Sequence, residues 1–277
     1  MVAHNRQTKT SIGSTYLVQN RFMPFVIAHL DFGYPWWLSY GHLLILACMV
    51  AVLFLGKFLK WSKWPMMLFG AVALWSGACF LMMHFQFDVN AKASMPTQNF
   101  LRSGSGRVID LGAGTGRSSI MVLEARPQVT LVATDLFAAS YDSHFGPGQN
   151  PQQRLLANLK DAGVDQRATV ETADMRKLPF PEASFDAAVS AYAIDHLNRE
   201  GIGQALAETA RVVKPGGEFL MMVIAKDWLL QFAFGPLLMH GGPRSPDWWT
   251  GRIKEAGFQI LEQGNVPGTL YVLARRS

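Results

Sequence analysis

The chain is 277 residues long, 49% hydrophobic and only 16% charged, against roughly 25% charged residues in an ordinary soluble domain. The first 99 residues carry seven Lys or Arg against two acids and the rest carry eighteen of each, so the net charge of +5 sits in an apolar N-terminal third. That distribution argues against a nucleic-acid binder, which needs its basic face on the folded domain, and it suits a segment lying at anionic lipid headgroups. The composition excludes disulfide-stapled, collagenous and disordered chains, and Cys48 and Cys79, each inside an apolar run, supply neither a disulfide framework nor a metal cluster.

Residues 1–34 are mostly polar. The stretch 22–30 (FMPFVIAHL) is too short to span a bilayer and reads either as interfacial or as packing on the domain that follows. Residues 35–87 predict a helical hairpin. The runs 36–56 and 64–85 contain no charge, and each reaches roughly 30 Å as a helix, the thickness of a hydrocarbon core. Trp36, Trp37 and Tyr40 at one end, and Trp61 and Trp64 at the other, stand where interfacial aromatics are expected. The competing reading, two buried helices of a soluble core, conflicts with the lack of a polar face. A cleaved signal peptide conflicts with the thirty or so polar residues that come first. Residues 88–99, polar and aperiodic with one proline, read as a linker.

From residue 100 to 277, strand-like runs alternate with helical patterns, as in a parallel sheet with crossover helices. Strands are predicted at 107–111, 130–134, 168–172, 185–191 and 218–224, the last following a break at Lys214-Pro215-Gly216-Gly217, with a terminal pair near 259–263 and 269–274. Helices are predicted at 118–125, 151–162, 202–213 and 247–256.

The informative turn is VIDLGAGTG, residues 108–116, where three glycines at alternate positions let backbone approach a ligand beyond a strand's carboxyl end. A dinucleotide fingerprint needs its third glycine at 117, which is Arg117, and no Gly-Lys-Ser/Thr closes a phosphate loop. Asp135 lies 23 residues past Gly112 at the end of the next strand, where an acceptor-only carboxylate takes ribose hydroxyls. The pair indicates an adenosine-type ligand without saying which.

This loop, the acid in LVATDLF, the segment ETADMRKLPFPEASFDAAVSAYAIDHL and the stretch ARVVKPGGEFLMM follow in order. Together they resemble the class I S-adenosylmethionine-dependent methyltransferases, most closely the branch that includes quinone and other small-molecule methylases. The resemblance covers residues 100–277. It implies an α/β, Rossmann-like seven-stranded methyltransferase sheet, its last strand antiparallel, here preceded by an α-helical transmembrane hairpin. It also implies S-adenosyl-L-methionine as cofactor, S-adenosyl-L-homocysteine as product, and no metal. Carried over by position, Asp110, Gly112, Ala113 and Gly114 face the methionine part. Asp135 holds the ribose and Leu136 packs beside the adenine. Asp174 accepts from the adenine amino group, Met175 offers its amide to the ring, and Ala191 lines the site through its backbone.

Methyl transfer needs alignment and exclusion of water, and a base only where the acceptor must lose a proton. Tyr192, Asp195 and His196, past the fourth strand, are the candidates. His196 leads on its ordinary pKa, with capping of the next helix as its plain structural role. Tyr141 and His144 are weaker candidates. The apolar stretch 228–240 (WLLQFAFGPLLMH) reads as an acceptor lid or as core packing. The expected function is a membrane-anchored methyltransferase for a small hydrophobic acceptor: a quinone-like ring, a lipid or a thiol. Its rival is a catalytically silent cofactor-binding scaffold of a membrane complex, and an NAD enzyme conflicts with Arg117. Lys57, Lys60 and Lys63 in the hairpin link favour a cytosolic link. Cofactor supply favours the opposite, a two-pass protein with its catalytic domain and both termini in the cytosol.

Overall fold

The computed structural model describes residues 30–86, 90–137, 150–225, 228–235 and 244–277. Most of residues 1–34, together with Tyr141, His144 and the end of the 228–240 stretch, lies outside them.

Two helices, α1 (Trp36–Phe58) and α2 (Lys63–Phe85), form the hairpin. At 23 residues each they extend about 34 Å, and they pack on one another along their length, with Gly77 facing Leu46. Neither has a polar face. Leu44, Phe54, Trp64, Leu74 and Phe85 all stand exposed, and both helices are long and apolar enough to cross a membrane.

The rest is a seven-stranded sheet in the order β3-β2-β1-β4-β5-β7-β6. β1 (Ser105–Leu111), β2 (Gln128–Asp135), β3 (Ala168–Thr172), β4 (Phe185–Ala191) and β5 (Val213–Ile224) run parallel. β6 (Phe258–Val266) and β7 (Thr269–Arg276) form a hairpin, and β7 enters antiparallel beside β5, so the Rossmann-like expectation holds. The central strands β1, β2, β4 and β5 are buried on both faces because helices cover both. Alternation along β1 sends Val108 to one core and Ile109 to the other. α3 (Arg117–Ala125) and α4 (Pro151–Asp161) cover the first face; α5 (Arg199–Val212) and α7 (Pro246–Glu255) cover the second. A short helix, α6 (Trp228–Phe234), follows β5.

Local chemistry sets the helix starts. Asn150 caps α4 by accepting from the amides of Gln152 and Gln153, and Ser245 caps α7 by accepting from that of Trp248; each is followed by a proline in the first turn. Asn198 caps α5 through the Gly201 amide. The capping role considered for His196 therefore falls to Asn198, whose short amide reaches the orphan donors. β5 also starts earlier than expected. Val213 pairs with Phe185, and Lys214-Pro215-Gly216-Gly217 forms a bulge inside the strand rather than a break before it, with Gly216 at φ +77°.

Residues 90–99 carry no helix or strand, yet they are fastened to the domain. Asn90 donates to Ser39 Oγ at 3.0 Å, Arg117 Nε to the Ala91 carbonyl at 2.9 Å, and Lys92 pairs with Glu124. Thr97 Oγ1 and Asn99 Nδ2 both donate to Glu262 Oε2, at 2.7 and 2.8 Å. Residues 31–34 are fastened too. Asp31 and Asn158 exchange two hydrogen bonds of 2.8 and 2.9 Å, and the Phe32 ring is fully buried beside α3 and α4.

Candidate active site

The candidate residues fall together at the carboxyl edge of the parallel strands, just past β1, β2, β3 and β4. The glycine loop makes the floor. The amides of Gly112 and Ala113 both donate to the Thr134 carbonyl, at 2.8 and 2.9 Å, which folds the loop back over β2. Gly112 sits at φ +76°, and a Cβ there would come within 2.3 Å of Ala193 Cβ and 2.9 Å of Met175 Cε. Gly116, at φ +93°, starts α3 against Leu155. Gly112 requires glycine for both backbone angle and space, and Gly116 for its backbone angle.

Asp110 is fully buried at the end of β1. Its Oδ2 accepts from Ser118 and Ser119 at 2.7 and 2.6 Å, while Oδ1 has no partner. Burial pushes its pKa up to about 6, against the two serine hydrogen bonds that lower it. A buried carboxylate oxygen without a donor is costly. It fits a site that receives a cationic donor such as a ligand's ammonium, as the class I cofactor requires. Asp135 accepts from the Gly114 amide through Oδ2 and from the Phe137 amide through Oδ1, both at 3.0 Å, which orients a buried acceptor at the loop's open side. Leu136 beside it is 49% exposed, a flat apolar surface next to the loop.

Asp174 forms a turn. It accepts from the Arg176 amide at 2.9 Å and is gripped by the Arg176 guanidinium, which holds its carboxyl below the usual range. Met175 is partly buried against the core, its methyl end near Gly112, and Ala191 closes β4.

The acceptor-side candidates separate from one another. Tyr192 sits at φ +53°, a strained angle for a tyrosine. It is held by its amide to the Met222 carbonyl and by its hydroxyl to Thr269. Burial raises its pKa above the ordinary phenol value. Asp195 is half-buried, with Oδ1 shielded from solvent and unpartnered and Oδ2 3.5 Å from the Ile224 amide, and desolvation raises its pKa. His196 is exposed beside it. Sequence reasoning missed Tyr34. Its phenol packs against the α3/α4 core, within electrostatic reach of Arg117, Tyr192 and Asp195, and burial raises its pKa. No local motif marks Tyr34, because its neighbours lie at least 80 residues away in sequence.

Among the described residues no cluster of His, Cys, Asp or Glu could hold a metal ion. Residues 108–217 match the family described as a methyltransferase domain. A demethylmenaquinone methyltransferase of Deinococcus radiodurans is 34% identical over 116 residues, 42% of this chain and 42% of its own. A ubiquinone/menaquinone biosynthesis C-methyltransferase of Burkholderia mallei is 33% identical over 138 residues, 50% of each chain. The chain thus spans half or less of the length of these relatives. An O-methyltransferase family protein from Burkholderia thailandensis shares the fold, with a TM-score of 0.54 at 18% identity over 74% of this chain and 59% of its own. The matched segment is thus a methyltransferase domain, carried on the seven-stranded sheet in the order β3-β2-β1-β4-β5-β7-β6 with the loop at Gly112.

Proposed function

We propose that the protein is a membrane-anchored methyltransferase that carries a methyl group from S-adenosylmethionine to a small hydrophobic acceptor of the quinone-like class. The observation that carries the cofactor half is the orphaned Oδ1 of Asp110 beneath the glycine loop. In this reading Asp110, Gly112, Ala113 and Gly114 hold the amino-acid end and Asp135 the ribose. Leu136, Asp174, Met175 and Ala191 surround the adenine. When bound, the cofactor supplies a methyl group already activated by its sulfonium, and S-adenosylhomocysteine is released.

The protein's task is then to orient the acceptor, exclude water and take a proton if ring carbon or hydroxyl must lose one. Asp195 is the group suited to that last step. Its Oδ1 is shielded from solvent and unpartnered, and desolvation lifts its basicity above that of a surface carboxylate. The charge of His196 at the surface pulls the Asp195 pKa down, against the larger effect of desolvation. Tyr192 and Tyr34 wall the acceptor side. The hydrophobic acceptor is supported by the apolar hairpin joined directly to this edge of the sheet, and by the named activities of the two quinone-biosynthesis relatives.

In this reading α1 and α2 cross the bilayer with both termini cytosolic. The Lys57, Lys60 and Lys63 end lies on the far side, away from the domain. Calorimetry tests cofactor binding: S-adenosylhomocysteine binds the intact protein, NAD does not, and Asp135→Ala abolishes the first. Incubation with methyl-labelled cofactor and a membrane-lipid extract tests turnover. Binding without label transfer to any lipid-soluble product would instead favour a silent scaffold. A cysteine placed in the link reacts with membrane-impermeant reagent in intact cells; no reaction overturns this topology.

A further inference from the structure

α6 carries apolar residues on its solvent side as well as its core side. Leu230 and Ala233 are buried, while Trp228 is 71% and Phe232 50% exposed, with Gln231 the polar group between them. The carbonyls that end a helix have no intrahelical partner and ordinarily bond water. Here they bond the hairpin. Trp75 Nε1 donates to the Phe232 carbonyl at 3.0 Å and His42 Nε2 to the Ala233 carbonyl at 3.0 Å. The rings interlock as well: His42 meets Trp75 edge-on at 5.4 Å and Phe234 at 5.3 Å, and Trp75 meets Phe232 at 6.3 Å. His42 and Trp75 are polar groups on helices that otherwise face lipid, where an unmet N–H is expensive. The two sets of unmet groups satisfy each other.

Their depth is readable. His42 lies six residues from the start of α1 and Trp75 ten from the end of α2, so the contact sits roughly 9–15 Å along the hairpin from its domain end. That is just below the aromatic belt of Trp36, Trp37 and Tyr40, all exposed. We propose that α6 dips into the acyl region of the near leaflet, clamped at that depth by His42 and Trp75, with Trp228 and Phe232 in lipid. β5 ends at Ile224 beside the Asp195 carboxylate, four residues before α6, so the acceptor's route from lipid to the site is short. The inference rests on the reading that α1 and α2 cross a membrane.

Depth-resolved quenching tests it on the full chain in phosphatidylcholine–phosphatidylglycerol vesicles. An environment-sensitive fluorophore is placed at Phe232→Cys, Leu74→Cys (the middle of α2) or Lys254→Cys (exposed on the domain), with Cys48 and Cys79 replaced by alanine. Nitroxide lipids spin-labelled at shallow or deep carbons act as quenchers. The Phe232 probe should be quenched by the same depth of label as the Leu74 probe, because Leu74 adjoins Trp75 and Trp75 bonds the Phe232 carbonyl, and the Lys254 probe should be quenched by neither. A Phe232 probe as silent as Lys254 beside a quenched Leu74 overturns the immersion of α6 and leaves the anchor standing; a face covered by a second copy or another protein gives this result. Silence at both Phe232 and Leu74 overturns the anchor and the inference together. Trp75→Phe keeps an aromatic side chain but removes the N–H, and should lower quenching at Phe232 without changing Leu74; unchanged quenching at Phe232 overturns the clamp.

Discussion

Thr115 Oγ1 donates a 2.9 Å hydrogen bond to the Phe32 carbonyl, 83 residues earlier in the chain. The bond ties the glycine loop to the segment that leads into α1, so the loop and the apolar hairpin share a support. The neighbouring Phe32 ring is fully buried beside α3 and α4. Phe32→Ala should cost about 3 kcal/mol, the low end for a buried aromatic because a peripheral segment can collapse into the gap. Thermal unfolding in detergent should show a midpoint lower by roughly 5–10 °C, with new protease cleavage near residues 30–35. Thr115→Val should weaken acceptor KM more than cofactor affinity if the bond positions Tyr34, and an unchanged KM would separate the segment from the acceptor side.

In its proposed ammonium-binding role, Asp110 should make cofactor affinity depend on pH. Its folded pKa, about 6, lies above the ordinary 3.8 because of burial, so the folded state holds the extra proton between those values. Stability from this group is therefore greatest at low pH and falls as pH rises through that window, by about 3 kcal/mol in all. Asp110→Asn should unfold at higher temperature than the parent at pH 7.5, and the difference should shrink towards pH 4. Affinity for S-adenosylhomocysteine should run the other way. It should rise from pH 5 to 7 in the parent as the carboxylate ionises, and be weak and flat in the variant. A parent whose affinity does not change over that interval would remove Asp110 from the ammonium-binding role.

What could be read in advance follows from how local each signal is. The strands of the parallel sheet, the glycine loop and Asp135 declare themselves within short windows, through apolar runs closed by turn residues. The hairpin does so through uncharged runs longer than a core helix needs. Tyr34 could not be read in that way, since it becomes a site residue only when Thr115 and Asn158 draw its segment onto the sheet edge. The roles of His196 and Asp195 could not be separated either. An ordinary histidine pKa favours His196 on sequence, and only the fold shows that the carboxylate is buried and the imidazole exposed. The β5 bulge was hidden for a similar reason: Pro215 and Gly216 signal a break wherever they occur, and only pairing with Phe185 keeps Val213 in the strand.

Gly112 tests the loop by sterics alone. A methyl group there would press on Ala193 Cβ at 2.3 Å, a short and unyielding neighbour, at a φ of +76° that L-residues seldom adopt. Gly112→Ala should destabilise the domain by about 1–3 kcal/mol and abolish binding of S-adenosylhomocysteine in calorimetry. Gly203→Ala is the control, because nothing lies within 4 Å of its added methyl and alanine favours the helix by about 1 kcal/mol. Its midpoint should rise slightly with cofactor affinity unchanged. Equal losses in both variants would mean that the chain is intolerant of substitution generally, and that the loop geometry carries no special weight.

The acceptor-side proton should answer to Asp195 rather than His196. Burial raises the Asp195 pKa, so the carboxylate stays protonated, and idle as a base, to a higher pH than a surface aspartate. The rate should climb as pH rises through that elevated value and then level off. Asp195→Asn should remove the climbing limb and lower kcat by roughly 10²–10⁴-fold, while cofactor affinity stays within error. His196→Gln should keep the limb, because desolvation outweighs the charge of the exposed imidazole in setting the carboxylate's pKa. A limb that vanishes with His196 and survives in Asp195→Asn would reverse the assignment. The test is selective because the two side chains are adjacent in sequence but differ in burial, and burial is what sets a carboxylate's basicity.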